Sequence, residues 1–157
     1  MPKKQDIDTL MKNLEERIAA AASKALSDEV FPLVRDMMQE NIEADVYGAY
    51  TPARYKRRYD NGGMIDPRNI QGTMSDDGLS LTVQNVTPPN PANGTTNKDL
   101  PTVIELGDKG GYDYFPSKQN DYAEPRPFTY DTFMEVDKTR RNEITGILAK
   151  AMKRVKL

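Results

Sequence analysis

The chain has 157 residues, with 22 Lys+Arg against 24 Asp+Glu, and no His, Cys or Trp. That length suits one domain, and the missing residue types exclude a Ser-His-Asp triad, a thiol nucleophile, a disulfide and a Cys/His zinc site. A net charge of -2 argues against a protein that coats nucleic acid over its whole surface, and an apolar share of 37% leaves much of the chain to face water or a partner.

The N-terminus carries Lys3 and Lys4, but charged residues from Asp6 to Arg17 break every apolar window that follows. No leader and no membrane span are expected, and the protein is expected to be made and used in the cytoplasm. From residue 5 to about 46, apolar residues recur in steps of three and four: Ile7, Leu10, Met11, Leu14, Ile18, Ala22, Ala25, Leu26, Val30, Leu33, Val34, Met37, Met38, Ile42 and Val46. This spacing is one face of a helix. Pro32 interrupts it, because proline lacks a backbone donor and disfavours helical geometry at Phe31. The spacing therefore predicts two helices or one kinked helix, too narrow to be a core alone and needing a sheet or neighbouring subunits to pack on.

Gly48 and Pro52 end this arm. Arg54, Tyr55, Lys56, Arg57, Arg58 and Tyr59 then form a basic and aromatic patch, closed by the turn signal Asn61-Gly62-Gly63. Guanidinium forks bind phosphates and tyrosines stack on bases. The same residue types are enriched at protein interfaces, so a nucleic-acid site competes with a subunit contact or local packing.

Met64-Ile65 and residues 69–74 read as short strand pieces, and Asp76-Asp77-Gly78 as a hairpin turn. Leu79, Leu81 and Val83 alternate with polar residues, the period of a half-buried strand. Residues 88–101 are nearly devoid of apolar side chains and read as a long loop. Residues 102–107 form a short apolar element, a strand or a single helical turn, before a second loop over 108–125. The C-terminal segment returns to helix from Arg126-Pro127-Phe128 onward. Thr132-x-x-Glu135 is readable as a capping box, an apolar stripe runs from Phe133 to Val155, and Lys150, Lys153, Arg154 and Lys156 lie in the last turns. No internal repeats and no coiled-coil heptads stand out.

Chemistry is sparse. The carboxylates Asp76, Asp77, Glu105, Asp108, Asp113, Asp121 and Glu124 are the only general acid–base groups in number, and no spacing picks out a pair. Gly107-Asp108-Lys109-Gly110-Gly111 lacks both common phosphate-cradle patterns. No catalytic residue, cofactor or metal site is expected.

Two segments carry a family resemblance. Val103-Ile104-Glu105-Leu106-Gly107-Asp108, and then Arg126-Pro127-Phe128 opening the last helix, resemble the "VEFG" and "RPF" elements of the minor tail-component (neck, tail-completion) family of long-tailed phages. Glu105, Gly107, Arg126, Pro127 and Phe128 match that pattern, and the Arg57-Arg58 pair before a strand fits its order. Residues 50–58 depart from the family's "PVDTGxLRxS", and 88–101 resemble an insertion.

The resemblance implies a structural virion protein of the head–tail junction. Such a protein assembles as a homo-oligomeric ring, meets the connector or stopper on one side and the tail terminator or tail tube on the other, and leaves a channel through which DNA passes without sequence-specific binding. An ion pair between Glu105 and Arg126, within or between subunits, follows as an expectation from an otherwise apolar run facing an arginine between two prolines. The fold expected is a single α+β domain over 1–157: a helical arm over 1–46, a small antiparallel sheet with long loops over 47–125, and a C-terminal helix over 126–157. Rival readings are a nucleic-acid-binding protein using Arg54 to Tyr59, and a carboxylate hydrolase.

Overall fold

The computed structural model describes residues 4–49, 51, 56–89, 100–107 and 124–155. The fold is α+β: one long N-terminal helix, a two-stranded antiparallel sheet and C-terminal helices.

Helices α1 (Lys4–Ala25) and α2 (Phe31–Asn41) are joined by a widened π-turn over Leu26–Val30, and a second such turn, Ile42–Tyr47, ends the element. The result is one continuous helical rod, roughly 65 Å long at about 1.5 Å per residue. Pro32 does not break it. Val30 and Phe31 keep helical dihedrals, against the expectation for a residue preceding proline. The π-turn is the physical reason. Phe31 N–H donates to Leu26 C=O, one residue further back than in an α-helix. The wider turn shifts the carbonyls that the proline ring would otherwise strike. At the far end Gly48 N–H donates to Glu43 C=O at 2.7 Å, and the rod stops.

Strands β1 (Ile70–Met74) and β2 (Leu81–Asn85) pair with Ile70 opposite Asn85 and Met74 opposite Leu81. Their turn lies where Asp76-Asp77-Gly78 predicts it. Asp77 accepts from Leu79 N–H at 2.9 Å, and Gly78 N–H donates to Ser75 C=O at 2.8 Å. Gly72 lets this hairpin lie on the rod: a Cβ there would stand 2.7 Å from the Phe31 ring. Met64-Ile65 is not a strand piece. It sits in a turn, with Met64 buried and its N–H bonded to the Tyr47 hydroxyl at 3.1 Å.

Residues 100–106 resolve to a short helix, α3 (Leu100–Leu106). The C-terminal helix is two helices, α4 (Phe128–Met134) and α5 (Arg141–Lys153), with a π-turn over Glu135–Thr139 and a non-helical Arg140 between them. The seven residues from Asp137 to Glu143 are all polar, so burial does not favour a helix through this point. Ion pairs from Arg140 to Glu143 at 3.0 Å and to Glu135 at 3.6 Å bridge the break.

The core forms where these elements meet. Met38, Ile42 and Val46 of the rod, Met64, Ile70 of β1, Ile104 of α3 and Phe128 of α4 cluster together, with Tyr47, Ile65, Val83 and Leu100 packed against them. The sheet and α4 pack on α2, and α5 packs along α1 and the first π-turn. Coverage of the rod fades toward its N-terminus. Residues 6–13 and 15–18 are exposed, whereas burial begins in earnest at Ala21 to Ala25.

Candidate functional site

The two segments that carry the family resemblance, about twenty residues apart in sequence, fold into one clasp. Helix α3 runs through Val103 and Ile104, which are buried, and ends at Gly107. Gly107 has φ +68°, the left-handed conformation that terminates a helix and strains any residue with a Cβ. Ile104 C=O accepts from Arg126 N–H at 3.0 Å, which ties the two segments together. Pro127 is the N-cap of α4 and brings no side-chain acceptor.

The cap comes from α3 instead. The two Glu105 carboxylate oxygens accept from Thr129 N–H at 2.9 Å and Tyr130 N–H at 3.1 Å. A carboxylate at a helix N-terminus satisfies open donors and faces the positive end of the dipole. Phe128, the first residue of α4, is fully buried in the core.

One expectation is corrected here, together with the within-chain form of another. Thr132-x-x-Glu135 is not a capping box, because Thr132 lies inside α4. Its hydroxyl donates to Phe128 C=O at 2.7 Å and accepts from Asn41 Nδ2 at 3.1 Å. The helix starts four residues earlier because Glu105 caps it from outside. Nor do Glu105 and Arg126 form an ion pair within the chain: both Glu105 oxygens point to the α4 backbone, and among the described residues no salt bridge joins the two side chains.

Asp45, from the second π-turn, approaches the same clasp. Burial raises its carboxyl above the ordinary range, and the facing Asp131 and the nearby Glu105 raise it further. Among the described residues no group of His, Cys, Asp or Glu is arranged to hold a metal ion. Asp77 is used in the hairpin turn, while Asp108, Asp113 and Asp121 lie outside the described residues. A cavity of about 410 Å³ opens beside the clasp between Val83, Asn85, Pro101, Thr102, Leu106 and Thr129.

Two arginines of the basic patch bind backbone carbonyls, while Lys56 and Tyr59 are exposed. Arg57 donates to Tyr47 C=O at 2.6 Å and to Val46 C=O at 3.5 Å, and its guanidinium stacks 4.8 Å from the Tyr47 ring centroid. It thereby caps the carbonyl end of the rod, where the dipole favours a cation. Arg58 donates to Pro88 C=O at 2.6 Å. Tyr59, at φ 46°, packs edge-on against Tyr47 with ring centroids 5.0 Å apart. Burial raises the Tyr47 hydroxyl above its ordinary value. Arg54 and Tyr55 lie outside the described residues.

Sequence reasoning missed a neighbouring anchor. The Asp66 side chain is 1% exposed and accepts from Gly62 N–H at 2.7 Å and Arg68 N–H at 2.9 Å. The Arg68 guanidinium, with these backbone donors, holds its carboxyl far below the usual range. Asp66-Pro67 had a legible signal, an acidic N-cap before proline at the first helical position.

Residues 10–154 match the family model YomN. The chain is 32% identical over 143 residues to the SPbeta prophage-derived uncharacterized protein YomN of Bacillus subtilis (strain 168), a match spanning 91% of this chain and 90% of that protein. No solved structure matches. The chain belongs to the YomN family, and it is a phage-derived protein. The matching family is thus YomN rather than the neck family that its VIELG and RPF segments resemble. Phage origin is common to both readings. Among the described residues no helix is long and apolar enough to cross a membrane.

Proposed function

We propose that the protein is a structural component of the phage particle that joins head to tail, a neck or tail-completion subunit that assembles as a ring. The clasp carries this reading. Glu105, Gly107, Arg126, Pro127 and Phe128, the residues that resemble the neck family, meet at one place and hold α3 against α4. Phage origin and the order of long helix, hairpin, short helix and C-terminal helices support it.

In this reading the protein turns over no substrate and needs no cofactor. Its partners are further copies of itself and the adjoining connector or stopper and tail terminator or tail-tube proteins. DNA passes through its ring without base contacts. The engagement of Arg57 and Arg58 with backbone carbonyls speaks against the rival nucleic-acid reading, which relies on those guanidinium groups.

Deleting the gene in the phage tests the proposal. Full heads and complete tails that fail to join, with the protein found in purified wild-type virions by mass spectrometry, are the expected result. Absence from purified virions, or normal joined particles without the gene, overturns it.

A further inference from the structure

The hairpin has one row of main-chain groups turned away from its own ladder. Ser75 N–H donates to Ser80 C=O at 2.9 Å, and Val86 N–H to Asn69 C=O at 2.7 Å. Bonded positions alternate along an antiparallel pair, so Thr82 and Gln84 also bond toward β1. The N–H and C=O groups of Leu81, Val83 and Asn85 then point the other way. Among the described residues the sheet has two strands, and no backbone bond reaches those outward groups. Proteins guard an open strand edge with a charge, a proline or a bulge. Strand β2 reads Leu-Thr-Val-Gln-Asn and carries no charge and no proline.

A trough runs along this edge. The cavity of about 410 Å³ beside the clasp separates Val83 and Asn85 from Thr102, Glu105, Leu106 and Thr129. A second cavity, of about 340 Å³, separates Leu81 and Val83 from Phe133, with Val34 and Met38 of the rod at its base. Val83 lines both, and no residue of β1 lines either. The open edge of β2 therefore faces α3 and α4 across the trough.

The two ends of the trough differ in chemistry. The Leu81 end is apolar. At the Asn85 end Glu105 lines the wall, and Asp45 and Asp131 stand close enough to it for their charges to interact. Among the described residues none of these three carboxylates forms an ion pair.

We propose that an extended segment of a partner protein docks in this trough as a third strand on β2. A row of outward N–H and C=O groups is matched by another extended backbone, and alternate side chains then supply the specificity. Alternate residues of the added strand face the base of the trough. Those opposite Leu81 and Val83 are apolar, and the one opposite Asn85 is Lys or Arg, whose charge complements the three carboxylates. The occupant thus has the pattern apolar-x-apolar-x-basic, read in either chain direction. This docking surface goes beyond the ring reading and does not rest on it.

The experiment pans the purified full chain against a displayed library of random peptides of about ten residues. The selected sequences are expected to alternate apolar residues and to carry Lys or Arg at one end of the alternation. One selected peptide is synthesised, and amide hydrogen exchange followed by NMR locates it on the full chain. The Leu81, Val83 and Asn85 amides are expected to exchange fast in the free chain and to slow by about tenfold or more with the peptide. The Thr82 and Gln84 amides, already bonded to β1, are expected to be protected in both states. Exchanging the basic residue of the peptide for Glu is expected to weaken binding by about tenfold, and Asp131→Asn in the protein to narrow that difference.

Selection of no peptide with this alternation overturns the inference, as does a selected peptide that protects amides elsewhere. Slow exchange at Leu81, Val83 and Asn85 in the free chain overturns it too. Protection that is lost on dilution then assigns the edge to a second copy, and protection at every concentration assigns it to another segment of the same chain. A Glu peptide that binds as tightly as the basic one overturns the charge pairing and with it the choice of occupant. Presence in virions is measured separately, so failure of this docking leaves the neck reading standing, and failure of the neck reading leaves this docking standing.

Discussion

Replacing Glu105 by alanine removes the cap that joins α3 to α4. Two backbone donors, Thr129 N–H and Tyr130 N–H, lose acceptors at 2.9 and 3.1 Å. Side-chain caps contribute about 0.5–2 kcal/mol. Both donors lie near solvent and can rebind water, which places the loss toward the middle of that range, at about 1 kcal/mol. Relief of the repulsion between Glu105 and Asp45 offsets a small part of it. In a chain of this size, a loss of about 1 kcal/mol lowers Tm by about 2–4 °C.

Glu105→Gln keeps one amide oxygen to accept from the backbone and loses the charge facing the helix dipole. It is expected to fall between wild type and Glu105→Ala, and the gap between Gln and Glu is expected to narrow as salt screens the dipole. Urea unfolding at one fixed protein concentration measures both, which holds constant any contribution from self-association. A midpoint for Glu105→Ala equal to wild type refutes the cap. So does a Gln variant as unstable as the Ala variant, because the retained oxygen would then contribute nothing.

Three further outcomes are expected. Gly72→Ala places a Cβ 2.7 Å from the Phe31 ring; overpacking of this kind costs about 1–3 kcal/mol, and Phe31→Leu in the same chain is expected to recover part of it in a double-mutant cycle by urea unfolding. Asp45→Asn is expected to stabilise the protein at neutral pH by less than about 1 kcal/mol, since the residue is only partly buried and solvent screens part of the repulsion. The Asp45 carboxyl is raised in the folded chain, so its penalty is full above that raised value and gone below the ordinary 3.8. The advantage of Asp45→Asn in a pH series of thermal melts therefore disappears on acidification, and an advantage that persists at low pH contradicts the assignment. Asp66 has the opposite sign. Its carboxyl is lowered by Arg68 and two backbone donors, so its contribution is present above the ordinary 3.8 and is lost as pH falls through the lowered value; melts of Asp66→Asn are expected to lie below wild type at neutral pH and to converge with it in strong acid.

Local patterns on the chain carried much of the fold. The step of three and four from Ile7 to Val46 specified the long helix to within a residue or two at either end, because burial of one face repeats with the helical turn. The alternation around Leu81 and Val83, with the Asp-Gly turn before it, specified the hairpin. Effects that act across the chain were less legible. The capping-box pattern at Thr132 was satisfied in sequence but superseded in space, because Glu105 arrives from another helix. The break near Arg140 had a local signal in its polar run, but the apolar residues on either side suggested one stripe.

Composition by itself excluded thiol, histidine and disulfide chemistry, since a missing side chain cannot be supplied by folding. It also determined that this chain carries apolar helical faces and basic, tyrosine-rich turns. Only the tertiary structure decided how these are used. Arg57 and Tyr59 turn onto Tyr47, Glu105 caps α4, and Pro32 is absorbed by a π-turn. The apolar stripe of the rod is divided, with α2 buried in the core and the arm before Ile18 left open. The physical reason is that periodicity records which residues share a face, whereas cover depends on which other elements reach that face. Among the described residues that cover begins in earnest at Ala21.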